Sequence, residues 1–376
     1  MNKIKIGTFF SGIGSPEQAM INLGVDHDVK FACEIDKFAR ETYLKNFSPD
    51  YMYEDVTKLD MKKAPAVDLL VFGFPCQAFS MAGRRGGFDD TRGTLFYDAL
   101  RYLREHKPRY FIGENVKGLL SHDNGKTFRT IIDCVAKTEN NQYSIMPFDN
   151  LGYNIHYQVL NTKNFGVPQN RERIFIVGIR DDEDNDFRFP SPMPLKVKLK
   201  DILEKVVEKK FFLSQRMVDG IYKSKFMERK PMKIDGICKT LKVGGDTPCF
   251  KDDRVISHSL YPRTSKTGKG GTGRLQKEDG TSYCLDTGNA QAVEVMCCLT
   301  EATGNRAGSS SEFLSSVNRI HKNTGHIRRL TPIEAERLQG FPDNFTSGVS
   351  DTQRYKQLGN TITVNVIQAV INNLLK

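Results

Sequence analysis

No C-x-x-C pair occurs in the chain. Its eight cysteines, at positions 33, 76, 134, 238, 249, 284, 297 and 298, are scattered, and the adjacent Cys297 and Cys298 have no histidines at zinc-ligand spacing. This usage predicts reduced thiols in a cytosolic protein and no metal site. Long apolar runs are missing too. Nothing approaches the length of a membrane span, and the opening Met1 to Gly7 lacks a signal peptide's apolar region. A soluble intracellular protein with no membrane association is the expectation. The seven histidines form no hydrolase signature and none lies near Cys76 in sequence, which argues against a Cys–His hydrolase. The stretch Ser11 to Glu34, where a cofactor would sit, lacks a full G-x-G-x-x-G, which weighs, less heavily, against a nicotinamide dehydrogenase.

What is present suits a large enzyme. The 376 residues, 39% of them hydrophobic, fit one large domain plus a smaller one. The net charge is +10, and it is concentrated: residues 186–330 carry 27 Lys/Arg against 16 Asp/Glu, while the remainder carries 28 against 29. A dedicated polyanion-binding surface explains that distribution better than a uniformly solvated exterior.

Strand, turn and helix repeat through the first half. Lys3 to Phe10 is an apolar strand that meets the turn Ser11 to Pro16, and Glu17 to Leu23 reads as a helix. A Gly-containing turn here lets a ligand approach the amides of the helix amino-terminus, although tight turns need Gly regardless. Val29 to Cys33 is a second strand, followed at once by Glu34, where doubly wound folds place an acid on a cofactor's ribose. Asp55 and Val56 close a third unit after a helix over Lys37 to Asn46. Either acid alone reads equally well as a helix cap.

The run Leu69 to Phe72 predicts a buried parallel strand ending in a loop with Pro75 and Cys76, where such sheets hold their ligands. A thiol there is a small buried hydrophobe or a nucleophile. A polar, Gly-rich loop follows, then a helix over Leu95 to His106 and a strand over Tyr110 to Gly113. That strand ends in Glu114, whose acid faces the same crevice as Cys76. Arg171 and Arg173 precede a strand over Ile174 to Ile179 and share a face by alternation, as a clamp for a polar ligand or as solvated charges. These units predict a doubly wound, mostly parallel α/β sheet through about residue 180.

A thiolate attacks electron-poor carbon, and a nearby acid protonates the atom that collects the displaced charge. A thiol, a proton donor and a nucleoside-type cofactor suit alkylation of a heteroaromatic ring. The ordered set Phe10 to Gly14, Gly73 to Ser80, Glu114 to Val116, Gln169 to Arg173, Arg329 to Pro342 and Gln357 to Thr361 resembles the motifs of the cytosine-5 DNA methyltransferases, above all the compact bacterial and phage enzymes of restriction–modification. The motifs frame nearly the whole chain except about residues 185–325.

The resemblance implies a Rossmann-like fold and a reaction: Cys76 adds to carbon 6 of a flipped cytosine, Glu114 protonates ring nitrogen 3, and carbon 5 takes a methyl from S-adenosylmethionine. Arg171 and Arg173 would hold the base's oxygen and position Glu114. Carried over residue by residue, the cofactor contacts would be Phe10, Gly12 and Gly14, Glu34 at the ribose, Asp55 and Val56 at the adenine, then Pro75, Leu95, Asn360 and Thr361. Ile35 stands where an aromatic residue often stacks on the adenine. The Gly-rich loop would close on DNA, with Gln77, Ser80, Arg84 and Arg85 as contacts.

From about Asp181 the text turns Pro-bearing, and Val197 to Lys210 reads as a basic helix. Residues 236–311, rich in Gly, Thr, Lys and Arg, suit a small, irregular, mainly β domain that matches the family's target-recognition domain. Thr240 resembles part of a Thr-Leu dipeptide common there, or is a turn residue; Arg263 and Arg274 offer phosphate or base-edge contacts, or lie in a solvated loop. Arg328 and Arg329 either touch phosphate or support domain packing. The expected domains are a catalytic and cofactor-binding domain at 1–180, a recognition domain with hinge at 181–344, and a returning segment at 345–376. The expected partner is double-stranded DNA, met as a monomer, with any cognate restriction endonuclease acting alongside rather than in complex. An RNA cytosine methyltransferase on the same fold and a catalytically silent DNA-binding homologue are the rival readings. The basic middle domain disfavours the first, and the full set of Cys76, Glu114, Arg171 and Arg173 disfavours the second.

Overall fold

Leu69 and Val71 point into one hydrophobic core while Leu70 and Phe72 point into another. A strand that is apolar on both faces belongs in the middle of a covered sheet, and that is where it lies. A computed structural model describes residues 3–74, 95–143, 150–214, 254–259, 276–277, 282–283, 291–296 and 327–376. The strands are β1 (Ile4–Phe9), β2 (His27–Cys33), β3 (Tyr51–Tyr53), β4 (Leu69–Gly73), β5 (Tyr110–Val116), β6 (Ala136–Glu139), β7 (Gln142–Tyr143), β8 (Tyr153–Asn161), β9 (Gln169–Asn170) and β10 (Glu172–Arg180). All but β9 join one sheet in the order β3-β2-β1-β4-β5-β10-β8-β6-β7. Helices α1 (Ser15–Leu23) and α2 (Lys37–Asn46) cover one face; α3 (Leu95–His106) and α4 (Lys126–Val135) cover the other. The mostly parallel, doubly wound sheet is the predicted one.

Local chemistry sets the element ends. Pro16 sits in the first turn of α1, and the Asp36 carboxylate caps α2 by accepting from the backbone N–H groups of Phe38 and Ala39. The short helix α5 (Leu199–Ile202) follows β10, and α6 (Pro332–Gln339) opens with the predicted capping box between Thr331 and Glu334. After α7 (Asp351–Asn360) comes α8 (Val364–Leu374), which packs on α1. Its buried Val364, Val366, Ile367, Val370, Ile371 and Leu374 are each worth about 1.5–3 kcal/mol, so α8 is integral to the core.

Two features depart from the sequence reading. Strand β10 runs antiparallel to both β5 and β8. The expected helix over 197–210 is absent; only α5 and a single turn at Lys209–Phe211 are helical. Leu199, Ile202, Leu203, Val206 and Val207 have helical spacing, but the core takes up Leu199 and Ile202 separately and leaves Val206 outside. The stretch is an extended strap that inserts Leu199, Ile202, Phe211 and Leu213 into the core.

The described parts of the middle segment are strands: β11 (Arg254–Ser259), β12 (Gln276–Lys277), β13 (Ser282–Tyr283) and β14 (Gln291–Met296). With β15 (Ile327–Arg329) they form a second sheet, β12-β11-β14-β15, while β13 adds in parallel to β9. Arg328 answers the choice left open above. It is buried, and its two terminal nitrogens donate to the two oxygens of Glu334 at 2.7 and 2.6 Å. Glu334 also accepts the backbone N–H of Thr331 and of Glu204, both at 2.8 Å. One buried carboxylate thereby ties β15, the strap and α6 together.

Candidate active site

The antiparallel sense of β10 builds the site. Its beginning lies beside the end of β5, with Phe175 opposite Glu114 and Arg173 opposite Val116. Arg173 is therefore the diagonal neighbour of Glu114, and its Nε stands 3.2 Å from Glu114 Oε1. Glu114 falls inside β5 rather than after it, paired on its other side with Gly73 at the end of β4. The carboxyl is buried, and that burial pushes its pKa up; Arg173 and then Arg171 pull it down without cancelling the rise. Such a group keeps a proton at pH values where an exposed carboxyl has lost it.

Next to it, Asn115 donates from Nδ2 to the carbonyl of Phe74 at 2.9 Å, fixing the last described residue before Pro75 and Cys76. Asn115 was given no role from sequence, although its place beside Glu114 was the available signal. Pro75, Cys76, Gln77, Ser80, Arg84 and Arg85 lie outside the described residues, as do Thr240, Arg263 and Arg274. Arg171 and Arg173 hold different partners. Arg171 is buried ahead of β10, and its guanidinium donates to the carbonyls of Gly359 (3.2 and 3.3 Å) and Thr361 (2.7 Å).

A cleft of about 370 Å³, counting its open mouth, runs from the β1–α1 turn to Glu114. Phe10, Gly12, Asn360 and Thr361 line it, joined by Ser15 and Ile362, which the sequence reading did not name. Phe10 has φ of 53°, a left-handed conformation that costs a non-glycine residue about 1–3 kcal/mol and that collects at ligand sites. Gly14, with φ of 89°, caps α1, and a Cβ there would lie 2.2 Å from the Phe47 ring. No side chain fits. Glu34, at the end of β2, accepts the N–H of Gly12 on one oxygen and of Asp36 on the other, both at 2.8 Å.

The remaining expected cofactor residues stand apart from that cleft. Asp55 caps a single turn, accepting from the N–H and hydroxyl of Thr57, with Val56 buried behind it. Leu95 opens α3 and packs on the core, and Ile35 is 73% exposed. The open Gly-rich turn with its fixed acid at Glu34 fits a nucleoside-bearing donor. Among the described residues no group of three or more His, Cys, Asp or Glu is placed to hold a metal, and no helix is long and apolar enough to cross a membrane.

Beneath this turn lies a second buried acid. Glu17 in α1 is fully buried, and its Oε1 accepts from Thr8 at 2.9 Å and Tyr43 at 2.6 Å, while Oε2 has no hydrogen-bond partner. Burial holds its pKa above the ordinary 4.5. As pH rises past 4.5 the unfolded chain releases this proton before the folded chain does, so the native state loses stability over that window. Glu17→Gln removes the dependence. The stability of this variant relative to wild type is expected to climb from acid to neutral pH in denaturant unfolding; a difference that stays flat with pH would show an unperturbed carboxyl.

Comparison with known proteins places this geometry. The family model for the C-5 cytosine-specific DNA methylases matches residues 4–376. The type II methyltransferase M.HpaII of Haemophilus parainfluenzae is 38% identical over 98% of this chain and 88% of its own length. M1.ScrFI of Lactococcus lactis subsp. cremoris is 37% identical over 100% of this chain and 78% of its own, and the orphan methyltransferase M.SPRI of Bacillus phage SPR is 32% identical over 100% and 98%. Among solved structures, a DNMT2 mutant from Spodoptera frugiperda shares the fold at a TM-score of 0.62 and 19% identity, covering 100% of each chain. With a site whose buried acid and arginine meet at the carboxyl edge of the sheet, the chain belongs to the C-5 cytosine-specific DNA methylase family.

Proposed function

We propose that the protein methylates carbon 5 of a cytosine flipped out of a specific duplex DNA sequence, with S-adenosylmethionine as donor. The observation that carries this reading is Glu114: a buried carboxyl with a raised pKa, held by Arg173 at the end of the cleft that starts at the Gly-rich turn. Carbon 5 of cytosine is too weak a nucleophile to react unaided. The Cys76 thiolate adds to carbon 6, the displaced electron pair enriches carbon 5, and Glu114 delivers its proton to ring nitrogen 3. Arg173 holds the glutamate in place and steadies the carboxylate left behind. When bound, the donor supplies a methyl group on a positively charged sulfur; Phe10, Gly12, Glu34, Asn360 and Thr361 would hold it. Loss of the carbon 5 proton to solvent then returns its bonding pair to the ring and expels Cys76 as thiolate, and ring nitrogen 3 hands its proton back to Glu114. The basic excess of residues 186–330 suits the phosphate backbone of the duplex, with Thr240, Arg263 and Arg274 among the contacts.

The test is conversion-based cytosine sequencing of DNA from cells expressing the chain, beside cells expressing Cys76→Ser. Protected cytosines in one short recurring context, absent from the variant, are expected. Folded protein that protects no cytosine in duplex DNA would overturn the reading and favour an RNA substrate.

A further inference from the structure

The paired arginines Arg171 and Arg173 differ in what they grip, and the difference separates their functions. Arg173 reaches Glu114. Arg171 donates to the carbonyls of Gly359 and Thr361 at the end of α7. The turn it holds is clamped a second time, from α1. The Ser15 hydroxyl, at the start of α1, lies 2.5 Å from the Thr361 hydroxyl and donates to the carbonyl of Ile362 at 2.7 Å. This turn is thus the joint between the Gly-rich end of the cleft and the start of β10, the strand that brings Arg173 to Glu114 on β5.

We infer that Arg171 is a positioning residue of the donor half of the site, and that the two arginines divide the labour: Arg171 shapes the donor cleft through the turn at Gly359–Ile362, and Arg173 serves the base through Glu114. The inference rests on the methyltransferase reading above and goes beyond it, since that likeness pairs both arginines with the base. Its physical basis is the guanidinium's fork. Donors on two terminal nitrogens bridge two carbonyls two residues apart, which pins the turn's backbone; a lysine, with one compact ammonium, cannot span both in the same geometry. Burial makes the loss costly, because carbonyls stripped of a charged donor inside the protein recover no water. The same cation stands close enough to Glu114 to lower its pKa, so the turn and the acid share one charge.

The experiment is equilibrium binding of S-adenosylhomocysteine to the full chain without DNA, for wild type, Arg171→Lys and Arg173→Lys. Arg171→Lys is expected to weaken binding tenfold or more, and Arg173→Lys to change it by less than twofold. With saturating DNA, Arg171→Lys should act mainly on the KM for the donor and Arg173→Lys mainly on kcat. A purely structural role would move neither ratio selectively. Equal donor affinity in wild type and Arg171→Lys overturns the inference and leaves the proposed function standing. A folded wild-type protein that binds no donor sinks both.

Should Arg171→Lys fail to fold, hydrogen exchange on wild type decides. Saturating S-adenosylhomocysteine is expected to slow exchange in the peptide spanning 169–173 together with the one spanning 359–362. Protection of the second without the first overturns the coupling.

Discussion

Glu114→Gln is expected to slow methyl transfer about 10²–10⁴-fold, the usual worth of a positioned general acid, while donor and DNA affinities stay within a few-fold of wild type. The amide matches the carboxyl in size and can still accept from Arg173, but it has no proton to hand to ring nitrogen 3. The pH profile supplies the sharper check. Burial raises the Glu114 pKa, so the protonated form survives above the ordinary 4.5 and disappears as pH climbs through the raised value. The wild-type single-turnover rate should fall along that limb, and the variant's should not. A variant within tenfold of wild type, with the same limb, would assign the proton to another group.

Glu334→Ala is the largest stability effect expected outside the cleft. The side chain is fully buried and accepts from both terminal nitrogens of Arg328 and from two backbone N–H groups. Removing it strands a buried guanidinium, which costs about 3–5 kcal/mol. The double variant Arg328→Met with Glu334→Leu should recover part of this, since no bare charge remains; the backbone donors of Thr331 and Glu204 still lose their acceptor. Urea unfolding of wild type and the two variants measures it. A double variant as unstable as Glu334→Ala would mean that the stranded guanidinium is not the source of the loss.

The elements legible from sequence were those whose cause is local. The helix limits at Lys37–Asn46 and Leu95–His106 match because caps and apolar spacing act within a few residues. The capping box at Thr331 matches for the same reason. Strand direction was not legible: a run buried on both faces reads alike in either sense, so nothing in Ile174 to Ile179 announced that β10 turns back. The strap at 197–210 misled because a Lys- and Glu-rich run favours a helix by propensity, while Leu199, Ile202 and Phe211 gain more by reaching the core separately. Within the site, Glu114 and the Gly-rich turn were visible as strand ends. The grip of Arg171 on Gly359 and of Ser15 on Thr361 spans much of the chain, and no window on the sequence joins them.

The reversed strand has a consequence for inheritance. Because β10 starts beside Glu114, it must leave the sheet at the far end: Ile179 pairs with Tyr110, the first residue of β5, and the Arg180 N–H bonds to the carbonyl of Arg109. The polypeptide departs from the edge opposite the chemistry, crosses the body on its strap, and rejoins at Arg328 through a pair that needs no residue of the cleft. Between those two anchor points, recombination can exchange one stretch of text for another while the reacting groups pass unchanged to the descendant. On the proposed function, with residues 181–344 reading the duplex, a lineage built this way acquires a new address on the genome without relearning its reaction.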